Sequence, residues 1–397
     1  MCPPDNPQEI SYEQLITEFT LPGKPGYKFK SFLDKLNSRL NIPKPICEEY
    51  NLETEEEKGD FVHEDEEERK VIYKLFKGGK MQLIPSFFKL IQELKKNKRE
   101  FAVVFRSFGS DIENVVEEFN LFCQGGHPLY NGKNGTPRLR FDGKSKSKNM
   151  VIERQNQGYL SRTSEQDSCL VLGTLNKHPK EEDPQEFHEG AIEEGLVSVF
   201  KDNIGIHVAI QERLQSAASI AIKDDLEYWS SNNYTSSSGK PLYVDPSDYS
   251  TLQVFFESKL GEEESQIVDV RDVVKGEEIP YKKSINKLLW KVDPYKAVAE
   301  TNYFYHALQV CEEARNEEIR KLEAGETSQE EVVEETQSEW EVLQSASTQD
   351  YLSRVIIPVL LPALQVVDIQ RPQDPVSFMA HYILKHQDRV KLPAKPN

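Results

Sequence analysis

Residues 348–387 read TQDYLSRVIIPVLLPALQVVDIQRPQDPVSFMAHYILKHQ, and their spacing leaves few structural choices. Leu352, Val355, Ile356, Val359 and Leu360 recur at i, i+3, i+4, i+7 and i+8, and Ala363 and Leu364 extend the same stripe by another turn. That is one apolar face of an α-helix. Ser347 and Asp350 stand at capping-box spacing, with Asp in place of the usual Glu or Gln. Arg371-Pro372-Gln373-Asp374-Pro375 supplies a turn. Asp374 can cap a second helix whose first position suits Pro375, because no amide donor is needed there. Phe378, Tyr382 and Ile383 give that helix its own apolar face. Two helices of this length cannot bury both faces against each other alone. A second copy, making a four-helix bundle, covers them.

The pattern Tyr-Leu-x-x-x-Ile-x-Pro-x-Leu-Leu, followed by Arg-Pro-x-Asp-Pro-x-x-Phe-x-Ala-x-Tyr-Ile-Leu-Lys, resembles the dumpy-30 (Dpy) motif. That motif is related to the dimerisation-docking domain of the type II kinase regulatory subunit. The resemblance implies a homodimer, or a heterodimer with another Dpy motif, that grips an amphipathic helix of a scaffold protein. Leu352, Val355, Ile356, Val359, Leu360, Ala363, Leu364, Phe378 and Tyr382 would form the dimerisation and partner-binding surface. One departure is Pro362, where the family carries a helix-compatible residue; proline there removes a helical donor.

The formal net charge of −18 argues against wholesale binding to nucleic acid or to an anionic membrane. The five cysteines are odd in number and scattered, without metal-ligand spacing, which points to reduced thiols in an intracellular compartment. The opening MCPPDNPQEI has neither a basic segment nor an apolar core, so it does not read as a signal peptide. No apolar run approaches the ~18 residues of a membrane span.

Along the chain, residues 1–80 read as short helical pieces followed by a solvated acidic run at 51–70. From residue 81 to 300 the grammar becomes α/β. IPSFFKLIQELKKN is an amphipathic helix, FAVVF at 101–105 a buried strand, and DIENVVEEFNLF a second helix. Residues 131–165 are expected to form a polar hairpin or loop, and CLVLGTL at 169–175 another buried strand. IGIHVAIQERLQSAASIAIKDDLEYW reads as helical throughout, while 252–256 and 267–270 look like further parallel strands. The expected architecture is a Rossmann-like open sheet. Residues 301–345 read as an acidic helical arm, and 346–387 as a helix-turn-helix docking motif.

The run GKPLYVDPSDYSTLQVFFESKL…IVDVRD resembles the later half of a haloacid-dehalogenase-like domain. The resemblance implies a strand ending in Asp-x-Asp, a phosphate-holding hydroxyl, a lysine, and paired acids for magnesium. Ser107 would be the hydroxyl, Lys240 the lysine, and Glu257 the one retained acid, followed by Ser258 where its partner belongs. Asp269 and Asp272 lie further on. No apolar strand ending in Asp-x-Asp precedes the helix at Pro85, although such a strand could lie upstream of Met1. The domain is therefore expected to be a catalytically inactive relative with a vestigial anion site at Ser107, Lys240 and Glu257. No catalytic residue, metal site or cofactor is expected. Gly125-Gly126-His127-Pro128 reads as a turn with His127 in a loop, and Asp224-Asp225 as solvent-facing acids at a helix end.

Together these features describe a non-enzymatic docking protein, of the cytoplasm and cytoskeleton. The Dpy resemblance implies two settings: the axoneme of cilia and flagella, on a radial-spoke-type scaffold, or a nuclear chromatin-modifying complex. The large α/β domain and the absence of a basic import run favour the axoneme. The rival from another class is a magnesium-dependent phosphohydrolase localised by its tail.

Overall fold

A computed structural model describes residues 19–52, 66–133, 139–144, 147–179, 182–261 and 267–324. Towards the C-terminus it describes 360, 363–364, 367, 371–372 and 374–385. The chain divides into two compact units, Met1–Ala314 and Arg315–Asn397.

The first unit is mixed α/β. Its main sheet has five strands: β1 (Val103–Ser107), β2 (Gln157–Arg162), β3 (Ser168–Leu172), β4 (Ser198–Lys201) and β5 (Ser219–Asp224). They lie in the order β1-β5-β2-β3-β4. β5 pairs in parallel with both β1 and β2. β3 pairs antiparallel with β2 and with β4. Two parallel pairs complete the strands: β6 (Lys240–Val244) beside β8 (Val268–Asp272), and β7 (Phe255–Glu257) beside β9 (Leu289–Lys291).

Five helices come before or just after β1; the two that flank it form where expected, whereas the third takes in residues 66–70, which the sequence put in a solvated acidic run. They are α1 (Lys30–Leu40), α2 (Lys44–Tyr50), α3 (Glu66–Phe76), α4 (Pro85–Lys96) and α5 (Asp111–Gln124). α4 starts with Pro85 at its first position and α5 ends on Gly125 in the left-handed region, both favourable terminal choices. α4 and α5 cover the sheet through an aromatic core of Phe88, Phe119, Phe122 and Phe141, with Phe87, Phe105 and Tyr130 packed against it. Burying each such ring contributes about 1.5–3 kcal/mol.

The sheet is a small open mixed one rather than the continuous parallel Rossmann-like sheet expected, and three local corrections explain why. The stretch at 204–229 is not one helix. It is α6 (Asn203–Ala217), then β5, then α7 (Leu226–Ser231). The break falls at Ala218, which caps α6 with a left-handed φ of 57°. Alanine seldom takes that conformation, so no glycine marks the stop. The polar stretch 131–165 ends in β2, which lies between β5 and β3 and buries Ser161 and Arg162. The strand expected at 267–270 forms as β8, whereas of 252–256 only the last two residues join a strand, β7, and both lie in the separate pairs rather than in the main sheet. The arm is helical as far as α8 (Tyr303–Glu323); its remainder, like the acidic run at 53–65, lies outside the described residues.

His127 lies in the turn after α5, as read, but it is not exposed. It and Glu118 are fully buried, with His127 Nε2 3.1 Å from Glu118 Oε1. The other Glu118 oxygen accepts the amides of Gln82 and Leu83 at 2.6 and 2.9 Å. His127 Nδ1 accepts the Leu129 amide at 3.1 Å, so the ring proton belongs on Nε2 and is donated to the carboxylate. This staple ties the loop before α4 to α5 and to the turn after it.

Burial holds the His127 imidazole below its ordinary value of 6.5, against the opposing pull of Glu118. The unfolded chain therefore binds a proton that the folded chain refuses. Stability is unaffected well above 6.5 and falls as pH drops through and below it, by up to ~1.4 kcal/mol per pH unit. His178 and His188, whose values are also lowered, act in the same direction. Denaturant unfolding at pH 7.5 and 5.5 is expected to show this loss, and His127→Gln to show a smaller one.

Candidate functional site

The carboxyl ends of the parallel strands β1, β5 and β2 converge on β6 and β8, where the chain buries several charges. Arg106 at the end of β1 grips Asp224 at the end of β5 through both guanidinium edges, with Nε 2.9 Å from Oδ2. The same guanidinium donates to the Pro241 carbonyl of β6 at 3.1 Å. Arg162 at the end of β2 lies 2.9 Å from Asp269 on β8 and donates to the Gly239 carbonyl at 2.8 Å. Arg271 holds the same Asp269 oxygen at 2.7 Å. Burial pushes the Asp269 carboxyl up to about 6, and the two arginines oppose that rise. Gly239 suits this junction because a β-carbon there would stand 2.4 Å from the Ile267 carbonyl oxygen.

The three residues expected to hold an anion sit beside this belt. Lys240, at the start of β6, places Nζ 3.2 Å from Glu257 Oε2; Lys240 is buried and Glu257 nearly so. Its ammonium also lies over the Phe108 ring at 5.0 Å. The other Glu257 oxygen accepts the amides of Ser258 and Lys259 at 2.8 and 3.2 Å. Burial raises the Glu257 carboxyl, but the Lys240 charge and these amides outweigh it and hold the acid below its ordinary range. Ser107, next to Phe108, donates to Asp111 Oδ1 at 2.8 Å and accepts the Gly109 amide at 3.0 Å. The fold thus joins Lys240 to Glu257 and commits Ser107 to the turn that starts α5.

Asp224 and Asp225 are not solvent-facing acids. Both are buried: Asp224 answers Arg106, and Asp225 caps α7 through the Tyr228 amide at 3.1 Å. Asp269 is likewise buried, and Asp272 accepts the amides of Val274 and Lys275 at 2.8 and 2.9 Å. Sequence reasoning missed the cationic half of the belt, Arg106, Arg162 and Arg271. The available signal was an arginine inside or at the end of each of three strands, though only the first, VVFRS, is otherwise largely apolar.

The second unit carries the surface of opposite character. Asp374 Oδ1 accepts the Ser377 amide at 3.1 Å, and the Asp374 carbonyl accepts the Phe378 amide at 3.1 Å, starting α9 (Pro375–Lys385). The cap and proline read from the sequence are both in place. The hydrogen bonds from Ser377 hold the Asp374 carboxyl below its ordinary range. Before it, the Arg371 amide reaches the Val367 carbonyl at 2.8 Å while Arg371 takes a left-handed φ of 42°. Of the expected apolar surface, Ala363 is fully buried and Leu360, Phe378 and Tyr382 are half-buried. Leu364 is 45% exposed and Val376 70%. Leu352, Val355, Ile356 and Val359 lie outside the described residues.

Comparison with protein-family models finds a match to the Dpy-30 motif at residues 347–388. The C-terminal region carries a Dpy-30 motif. No solved structure matches the chain. The Dpy-30 motif implies a dimerisation and docking role in protein–protein interaction. Its turn, Arg371 to Pro375, is the segment whose capping geometry is described above.

The charge belt yields a quantitative prediction. Arg106→Met leaves Asp224 buried without its partner and is expected to cost about 3–5 kcal/mol in denaturant unfolding. Adding Asp224→Leu is expected to recover most of that loss, because the pair itself is nearly neutral against apolar residues of similar size.

Proposed function

We propose that the chain is a non-enzymatic assembly protein that dimerises through its Dpy-30 motif and docks the apolar face of a scaffold helix. The observation that carries this is the motif at 347–388 together with exposed Leu364 and Val376 beside buried Ala363. An amphipathic helix laid on such a surface is held by apolar anchors at helical spacing. The α/β unit presents further surface to the assembly. The setting proposed is the axoneme of a cilium or flagellum, on a scaffold of radial-spoke type. That choice draws on the Dpy resemblance and on the acidic chain, whose net charge of −18 suits neither nucleic acid nor an anionic membrane.

The α/β unit is proposed to be an inactive, haloacid-dehalogenase-like relative. Two observations support inactivity. Lys240 is neutralised by Glu257 at 3.2 Å, and the Ser107 hydroxyl is tied to Asp111 at 2.8 Å. A phosphoryl group would have to displace both partners, and turnover would further need a nucleophile and a metal.

Two measurements test these statements. A tagged full chain in a ciliated cell is expected to remain with the axoneme after detergent extraction. Leu364→Asp, which puts a charge where about 1.5–3 kcal/mol of apolar burial is needed, should release it. Retention in the nucleus, or axonemal retention unaffected by the substitution, would overturn the docking proposal. Purified chain with magnesium and a panel of phosphomonoesters is expected to show background turnover. Hydrolysis abolished by Lys240→Ala would instead establish a phosphohydrolase.

A further inference from the structure

The first unit carries a patch, unused so far, in which aromatic rings and lysines alternate. Residues 19–40 read FTLPGKPGYKFKSFLDKLNSRL, with five cations and one acid, in a chain whose net charge is −18. The Phe19 carbonyl accepts the Gly26 amide at 3.2 Å and closes a loop that Pro22 and Pro25 stiffen. A side chain at Gly26 would collide with the Phe19 ring, so that ring lies directly on the backbone of the loop. A 3₁₀ turn, Tyr27–Phe29, then leads into α1, which fully buries only Leu36. The Arg39 guanidinium donates to the Ala299 carbonyl and ties α1 to the short helix Pro294–Ala299. There the Phe32 ring stands 6.2 Å from the ring of Tyr295.

Phe19, Tyr27, Phe29, Phe32 and Tyr295 are each 49–55% exposed on this stretch of surface. Single exposed rings are ordinary, but exposed rings gathered together mark a surface that another molecule covers. Lys24, Lys28, Lys30 and Lys35 are exposed among them, and no acidic side chain answers any of the four among the described residues. Lys28 Nζ lies 5.0 Å from the centre of the Phe29 ring. The occupant must therefore supply apolar side chains and negative charge together. An anionic bilayer or a nucleic acid carries its charge well beyond the patch, where it meets the repulsion of the acidic remainder of the chain. A field reaches only ~8 Å at physiological ionic strength, so a short acidic helix meets the patch alone.

We propose that this patch docks a short, acidic, amphipathic helix of another protein. The apolar side chains of that helix lie on the five rings and its carboxylates face the four lysines. Aromatic anchors inside a charged rim are the usual makeup of a protein-binding surface, and helical spacing of the anchors suits a helix to it. The lysines guide the encounter and fix its orientation, while the rings supply most of the affinity. The proposal extends the reading that the α/β unit offers surface to an assembly, and it draws nothing from the Dpy-30 motif.

The probe is a fluorescein-labelled peptide of about 14 residues, with Leu and Phe at helical spacing and Glu elsewhere, titrated with the full chain and read by anisotropy. A dissociation constant on the order of 10 µM is expected, rising with salt. Lys28→Glu combined with Lys30→Glu should weaken binding about tenfold or more, whereas the same two positions changed to Arg should preserve it. Phe29→Ser should weaken it about fivefold. These side chains are exposed, so the melting temperature is expected to stay at the wild-type value. Leu364→Asp in the Dpy-30 motif should leave the binding unchanged; a loss there would assign the probe to the motif instead. A changed oligomeric state of the Lys28→Glu, Lys30→Glu chain would make the patch an interface between copies and contradict the proposal. So would tighter binding of phosphatidylserine vesicles or of an oligothymidylate than of the peptide, or no binding of the peptide by the full chain.

Discussion

Placing charged side chains where water cannot reach them is costly unless each meets an opposite charge and a full set of hydrogen bonds. That constraint organises the first unit. Arg106, Arg162, Arg271 and Lys240 are buried, or nearly so, at the carboxyl ends of β1 and β2 and on β8 and β6. Each has an acidic partner on a different strand or on its own: Asp224, Asp269 or Glu257. The links from Arg106 to the Pro241 carbonyl and from Arg162 to the Gly239 carbonyl set β6 and β8 against the end of the main sheet. A strand shifted in register by one residue would turn these groups to the other face and strand their partners. The belt therefore specifies arrangement more than it contributes net stability.

The same pairing bears on function. The carboxyl ends of parallel strands are where open α/β sheets place their ligands. In this chain that position is filled by internal ion pairs, so the cation offered to an incoming anion is already answered by Glu257. In the other unit, the Dpy-30 motif leaves Leu364 and Val376 exposed.

Legibility in the sequence followed the range of the interactions involved. α4, α5, β1 and β3 were readable because short windows of apolar periodicity determine them. The Asp374–Pro375 helix start was readable because capping is a contact over three residues. β5 was hidden because its SIAI core continues the apolar content of α6, and the stop between them is an alanine rather than a glycine. β2 was hidden because QGYLSR looks polar until Arg162 meets Asp269, more than a hundred residues away. The pairing of β6 with β8 and of β7 with β9 is equally non-local, and no window of sequence carries it. Of the proposed anion site, the residues were named but their pairing was not: Ser107 answers Asp111, and Lys240 is paired with Glu257, another member of the same site.

Dimerisation of the intact chain is the claim on which the docking function rests. Native mass spectrometry of the full-length protein, mixed with an isotopically heavy copy and allowed to exchange, measures it directly. The Dpy-30 mechanism predicts a species of twice the 45.7 kDa chain mass, with a mixed light–heavy form between the two pure ones. A single 45.7 kDa species at every concentration, with the fold intact, would contradict it.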